Sequence, residues 1–414
     1  MRLLVVSQYF WPENFRINDL VAELVCRGHQ VTVLTGYPNY PDGQVFQHFR
    51  DDPVHYLHYM GAEIIRVPMM PRGNGALRLL MNYLTFAASA SVVGLWRLRG
   101  RPFDAIFAYE PSPITVGLPA VVMRSVKRAP LVFWVLDLWP DTLQAIGIVQ
   151  SRLLLQFVGK LVSFIYKRCD FILAQSKSFI SQIHRYSGAE KRVVYFPSWA
   201  ESVFNMPSVA PAGEVLRVPG NFNVMFAGNI GDAQDFPAIL AAAESLKSHT
   251  HIRWLIVGDG RLKNWVTDEI KRRNLQDSVL LLGRYPVERM PSFFKHANAL
   301  LVSLKDEPIF AMTIPGKLQS YLAAGIPVVA MLNGEGAEVV TSSRSGLACP
   351  AGDHAGLAAA VLKLSQMTSD EQEAMGRNGL AVSASDFDRK TLIDRLEGWL
   401  EELKSDLSGL RGKS

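Results

Sequence analysis

Short, nearly unbroken apolar runs alternate with amphipathic stretches along this chain, and that alternation narrows the fold more than any other feature. In the first half the runs span residues 3–7, 31–35, 63–68, 104–109, 130–136 and 170–175. They are apolar throughout rather than at every second position, which is how strands buried on both faces read. The stretches between them, such as 17–28, have helical periodicity, and Gly28 suits a helix stop. Strand–helix–strand alternation predicts a parallel sheet with right-handed crossovers. The pattern breaks in a proline- and glycine-rich stretch at 201–220, then restarts with runs at 222–228, 251–260, 278–283, 298–304 and 327–331. The expected fold class is therefore α/β, with two Rossmann-like doubly wound domains whose ligand crevices lie at the carboxyl ends of their strands and face each other across a cleft. The boundaries read as 1–200, a linker at 201–220, 221–385, and a C-terminal helix and tail at 386–414 with Leu392, Leu396, Trp399 and Leu403 on one helical face.

Composition excludes several classes. Of 414 residues, 49% are hydrophobic and 20% charged, which fits two full cores and not a disordered chain. Cys26, Cys169 and Cys349 lie far apart with no CxxC, so neither disulfides nor a zinc site are expected and a reducing cytoplasm fits. The histidines lack HxxxH and HExxH spacing, and neither a GxSxG elbow nor a Walker-type phosphate loop occurs. The residues themselves point to no resident cofactor. Residues 2–7 are too short for a signal-peptide core and read as the first strand.

Charge is uneven. Residues 1–200 carry 21 Lys+Arg against 13 Asp+Glu, a balance of +8, whereas the remainder carries −3. A basic half suggests an anionic surface as partner. Residues 72–101 hold Arg72, Arg78, Arg97, Arg99 and Arg101 with no acidic residue, around eighteen uncharged positions at 79–96. This segment reads as a helix lying at a membrane interface, as an ordinary buried helix or, at the lower limit of length, as a span. The flanking arginines and the aromatic residues favour the interface. No nucleic-acid motif accompanies the basic residues, so nucleic acid is not an expected partner.

Five segments carry candidate functional residues. Gly228-Asn229-Ile230-Gly231 ends a strand before a helix, where small residues let backbone N–H groups approach an anion, unless it is a plain turn. Gly258 and Gly260 precede Arg261 and Lys263 at a helix start, where cations oppose the helix dipole unless an anion is present. Pro315-Gly316-Lys317 opens another helix, so N–H groups and an ammonium converge, with Gln319 and Ser320 in its first turn. Glu110 and Asp137 follow buried strands of the first domain; a carboxylate there serves an acceptor hydroxyl or a cationic transition state, or simply caps a helix. In the first strand-to-helix loop, Glu13, Asn14 and Arg16 present polar groups to a substrate of the first domain.

Together, segments 7–41, 136–141, 226–231, 257–260 and 313–340 resemble retaining glycosyltransferases of the GT-B fold, glycosyltransferase family 4. Within that family they resemble the WbuB-like branch of N-acetyl-L-fucosamine transferases that builds bacterial O-antigen, capsule and colanic acid. The resemblance covers nearly the whole chain. It implies transfer of a sugar, an N-acetylated amino or deoxy sugar, from a nucleotide-diphosphate donor, UDP-linked, to a lipid-linked saccharide at the cytoplasmic face of the inner membrane. It implies retention of configuration without an obligatory metal, and a C-terminal helix that crosses back to the first domain. Lys317 with Arg261 or Lys263 would meet the diphosphate, and Arg284 and Tyr285 the base; Asp137 stands where related enzymes place a histidine beside the transferring sugar. Many members carry two glutamates eight residues apart where this chain has Met312 and Ser320, which leaves Gln319, Ser320 or Glu338 for ribose and sugar contacts. Two other readings are a GT-B-fold nucleotide-sugar epimerase and a non-catalytic GT-B partner protein.

Overall fold

A computed structural model describes residues 1–414 except 42, 74, 146, 148, 206–208 and 412–414, and excludes the side chains of 205 and 407–411. The chain divides into two compact units, one formed by Met1–Phe196 with Lys390–Ser414 and the other by Pro197–Arg389.

The first unit contains β1 (Arg2–Ser7), β2 (Gln30–Gly36), β3 (His58–Tyr59), β4 (Ala62–Val67), β5 (Ala105–Glu110), β6 (Leu131–Val135), β7 (Phe171–Ala174) and β8 (Val193–Tyr195). Their order in the sheet is β3-β4-β2-β1-β5-β6-β7-β8. Every pairing is parallel except β3 with β4. Winding reverses between β1 and β5, so the crevice of this sheet opens beyond the carboxyl ends of those two strands. β5 and β6 are buried at every position. Helices cover both faces, which explains why their sequences lack alternation.

The second unit contains β9 (Phe222–Ala227), β10 (Ile252–Val257), β11 (Val279–Gly283), β12 (Ala299–Ser303), β13 (Val328–Met331) and β14 (Gly346–Cys349). They form an all-parallel sheet ordered β11-β10-β9-β12-β13-β14. Its switch point lies between β9 and β12. Phe226, Phe236, Trp254 and Leu301 belong to its core.

All eleven apolar runs form strands. The three additional strands, β3, β8 and β14, are two to four residues long, too short to set up a periodicity. The stretch at 201–220 packs on the second unit instead of running free. Phe204 stacks on Phe294 with ring centroids 5.5 Å apart. The Ala212 N–H donates to the Ser292 carbonyl at 3.0 Å, and His296 Nε2 lies 2.8 Å from the Ala212 carbonyl. Residues 206–208 of this stretch lie outside the described residues.

Helix Arg389–Arg411 returns the chain to the first unit from Lys390 onward. Leu392, Ile393, Leu396 and Leu400 are buried. Trp399 meets Phe171 at 5.3 Å and Phe196 at 6.0 Å. Arg27 is bonded to Glu23, Asp394 and Glu397, and His29 Nε2 to Glu397 at 2.6 Å. Apolar burial with a charged clamp at its edge is what fixes a C-terminal segment that has no sheet of its own.

The helix from Ala76 to Arg97 contains a π turn at Ala90–Gly94. Asn82, Tyr83, Phe86, Ala87, Ala90 and Gly94 face inward. By length and composition it is apolar enough to cross a membrane, yet only about a third of its apolar window is buried in the protein.

Candidate functional site

In the second unit the switch point places three sequence segments together. β9 ends at Ala227, and Gly228–Gly231 continue beyond it. The Ile230 N–H donates to the Asp259 carbonyl at 2.8 Å, and the Leu262 N–H to the Ile230 carbonyl at 3.0 Å, so the loop after β10 lies directly on the loop after β9. A Cβ on Gly258 would stand 1.9 Å from the Gly228 oxygen, and one on Gly260 would stand 2.4 Å from the Ile230 oxygen. Only glycine permits that approach, which is the physical reason for the spacing.

Helix Gly316–Ala323 begins after Pro315 at the same place. The Tyr321 hydroxyl accepts from the Ala227 N–H at 3.0 Å and donates to the Ala227 carbonyl at 3.1 Å. That double bond of donor and acceptor locks the helix to the end of β9. Lys317 Nζ consequently sits 3.8 Å from the Phe226 ring centroid, and a Cβ on Gly228 would be 3.1 Å from it. It is shielded from solvent and has no hydrogen-bond partner among the described residues. Desolvation lowers its pKa to about 7. A cation held without a counter-charge at a helix N-terminus and a sheet switch point is a preorganised anion site.

The other expected donor residues fare differently. Arg261 pairs with Asp232, and Lys263 Nζ pairs with Asp259 at 2.9 Å. The unfavourable encounter of these cations with the helix dipole is thus offset by carboxylates, and no bound anion is needed to explain them. Gln319 is 1% exposed. Its amide turns back to donate to the Gly316 and Pro315 carbonyls at 2.9 Å each; it bonds to the first turn of its own helix instead of pointing to a ribose. Ser320 donates its hydroxyl to Glu201. That carboxylate was not anticipated, because it lies more than a hundred residues away in a stretch that reads only as linker. Glu338 is exposed, whereas Glu335 in the same helix is buried. Arg284 is exposed just after β11, and Tyr285 packs against Phe293 at 4.5 Å.

In the first unit Glu110 ends β5 and is fully buried. Burial, then the neighbouring Asp137, push its carboxyl well above the usual range, against the opposing influence of the Asp137 and Leu136 amides. Among the described residues neither oxygen completes a hydrogen bond, and burial favours the neutral form of Glu110 over the charged one. Asp137 lies beyond β6 and accepts from Trp139 Nε1 at 3.1 Å and from the Thr142 hydroxyl. Its pKa is raised by burial, which the Thr142, Trp139 and Ser112 donors partly oppose. It also lines a cavity of about 450 Å³ in this unit. Of the two carboxylates, Asp137 is the one with access to a ligand.

Glu13 does not present itself to a substrate. It is 3% exposed. It accepts from the backbone N–H groups of Asn39 at 2.8 Å, Tyr40 at 2.7 Å and Phe10 at 3.2 Å. It fastens the loop after β1 to the loop after β2. Burial raises its pKa to about 7 despite these donors. Asn14 is exposed, and Arg16 begins helix Arg16–Cys26 beside Tyr109. Among the described residues no group of three or more His, Cys, Asp or Glu is arranged to hold a metal.

Comparison with known proteins follows this division. Residues 14–199 match the model of the glycosyl transferase 4-like domain, and residues 221–367 match that of glycosyl transferases group 1. The chain is 25% identical over 342 residues to the colanic acid biosynthesis glycosyl transferase WcaI of Escherichia coli K12, covering 78% of this chain and 82% of the relative. The crystal structure of Anabaena HepE in complex with UDP superposes with a TM-score of 0.69 at 16% identity, over 97% of this chain and 100% of that one. WaaG, a glycosyltransferase involved in lipopolysaccharide biosynthesis, superposes with a TM-score of 0.65 at 13% identity, over 96% and 98%. With one matched model in each half and a doubly wound sheet in each unit, the chain belongs to the GT-B glycosyltransferases of the group 1, family 4-like class.

Proposed function

We propose that the chain transfers an N-acetylated amino or deoxy sugar, with retention, from a UDP-linked donor to a lipid-linked saccharide intermediate of a bacterial surface polysaccharide. The work takes place at the cytoplasmic face of the inner membrane. The observation that carries the donor half of this reading is Lys317, whose ammonium is desolvated and unpartnered beside Gly228. A diphosphate supplies the missing counter-charge. Ser320, three residues on and so on the same helical face, together with Glu201 offers a hydroxyl and a carboxylate to the ribose. The UDP bound by HepE supports the choice of nucleotide, and WcaI and WaaG support a polysaccharide product.

In the first unit, Asp137 orients the acceptor hydroxyl or the transferring sugar. As the glycosidic bond to the donor breaks, charge gathers on the leaving diphosphate, where Lys317 and the helix N-terminus stabilise it. The diphosphate then receives the acceptor's proton on the same face of the sugar, which retains configuration. Calorimetric titration with UDP, GDP and ADP tests the reading. Selective UDP binding that weakens in Lys317→Ala is expected. Absence of binding by all three nucleotides would favour a non-catalytic partner protein, and conversion of the donor sugar without any acceptor would favour an epimerase.

A further inference from the structure

The cavity of the first unit has walls of two chemical kinds. Loops beyond the strand ends supply Asp137 and Arg72, while helix Ala76–Arg97 supplies Leu77 and Leu80 and helix Arg152–Arg168 supplies Leu154 and Val158. Arg72 hydrogen-bonds the Tyr9 hydroxyl at 3.4 Å and lies over the Tyr40 ring at 5.4 Å. A ligand suited to this space has a polar head, with an anionic group for Arg72 and a hydroxyl for Asp137, and an apolar body. About 450 Å³ accommodates a section of a lipid chain, with the remainder left outside.

The outer faces of the same two helices continue this apolar surface. Leu77, Met81, Leu84, Val92 and Trp96 are exposed at helical spacing on the first helix. On the second, Leu153 is 79% exposed and Phe157 67% exposed, with Phe164 beyond them. Neither helix contains an acidic residue, and Arg78, Arg97, Arg152, Lys160, Lys167 and Arg168 stand among the apolar side chains. Arg168 lies 3.7 Å from the centroid of the Phe164 ring, and Arg99, just past the first helix, lies 4.6 Å from that of Trp96. Exposed apolar ridges edged by cations match a bilayer of anionic lipid in both respects: acyl chains receive the ridges, and headgroups receive the guanidinium and ammonium groups.

We propose that this cavity is the site for the phosphate-proximal part of the acceptor's lipid chain, entered between the two helices, and that helix Arg152–Arg168 sits on the anionic bilayer beside helix Ala76–Arg97. The proposal rests on the reading of the first unit as the acceptor side. It adds a membrane-seated element that nothing in the amino-acid pattern of 72–101 points to, and it assigns the lipid moiety a location.

Farnesyl diphosphate, a soluble lipid diphosphate, is titrated against the full chain by calorimetry, with inorganic diphosphate and UDP in parallel. It is expected to bind about tenfold or more tightly than inorganic diphosphate, because its chain leaves water for an apolar wall. Leu80→Glu and Leu154→Glu are each expected to lower its affinity about tenfold or more, with UDP affinity unchanged. In a second arm, vesicles of equal phosphatidylglycerol and phosphatidylcholine sediment the wild type. Leu153→Glu with Phe157→Glu, both at exposed positions, abolishes sedimentation and leaves farnesyl diphosphate binding intact.

Equal affinity for farnesyl and inorganic diphosphate, or indifference to both cavity variants, overturns the cavity assignment. Sedimentation unaffected by Leu153→Glu with Phe157→Glu, or self-association of the chain that this pair abolishes, overturns the membrane assignment; the second outcome would mark a protein interface. Loss of UDP binding in the wild type strikes the donor reading alone, so the two failures are distinguishable.

Discussion

Filling the donor site should make the protein take up a proton, and the amount follows from Lys317. Its pKa is about 7 because the ammonium is desolvated without a counter-charge. At pH 8 such a group is about one-tenth protonated, and at pH 6 about nine-tenths. A diphosphate within hydrogen-bond reach restores the charged form, since a charge-assisted bond in a dry site favours the ion over the amine. Binding of UDP at pH 8 is therefore expected to draw in about 0.9 proton, falling to about 0.1 at pH 6. Calorimetry in buffers of different ionisation enthalpy measures this uptake directly. The phosphate of UDP titrates in the same range, so the uptake of Lys317→Ala is subtracted at each pH. The same substitution should weaken UDP binding about tenfold to a hundredfold, the range for a lost hydrogen bond to a charged group. Tight UDP binding with no uptake at pH 8 beyond that of Lys317→Ala would show that Lys317 gains no proton from the diphosphate. The ammonium would then either lie away from the diphosphate or already be charged.

Three other expectations are independent of that one. Asp137→Asn should lower kcat about a hundredfold or more with the UDP dissociation constant unchanged, as fits a group acting on acceptor or transferring sugar; a change confined to UDP affinity would remove it from that role. Glu201→Ala should raise the UDP dissociation constant about fivefold to thirtyfold through the lost partner of Ser320, whereas Glu338→Ala, at an exposed position, should alter it less than about twofold. Glu13 has a folded pKa of about 7 against an ordinary 4.5, so the folded state binds this proton more tightly than the unfolded one. Its contribution is fully present below 4.5 and is lost as pH rises to about 7, a change of about 3 kcal/mol. In urea unfolding followed from pH 4.5 to 8, Glu13→Gln should lack that part of the slope, and identical slopes in the two proteins would contradict the assignment.

Lys317 was legible because several local signals coincide: a proline and a glycine open a helix, a lysine follows, and a strand begins soon after. Gln319 and Glu13 were legible only as polar residues in suitable places. Both turn out to satisfy backbone groups: Gln319 those of its own helical turn, and Glu13 those of Asn39 and Tyr40, which only the fold brings beside it. Arg261 and Lys263 lost their apparent need for an anion once Asp232 and Asp259 came beside them. Glu201 shows the converse, since its partner Ser320 is distant along the chain and no periodicity connects them.

The amino-acid pattern by itself determined two parallel α/β sheets, the glycine turns at the ends of β9 and β10 and the placing of a lysine at a helix start. Each of these follows from local conformational preference and from the period at which apolar residues recur. Tertiary structure alone decided that Lys317 is buried without a hydrogen-bond partner among the described residues, which carboxylate meets Ser320, and that helix Arg152–Arg168 shares a cavity with helix Ala76–Arg97. Those outcomes depend on desolvation and on distances between side chains far apart in sequence. Such energies are absent from any short window of the chain and arise only when the sheets bring those windows together.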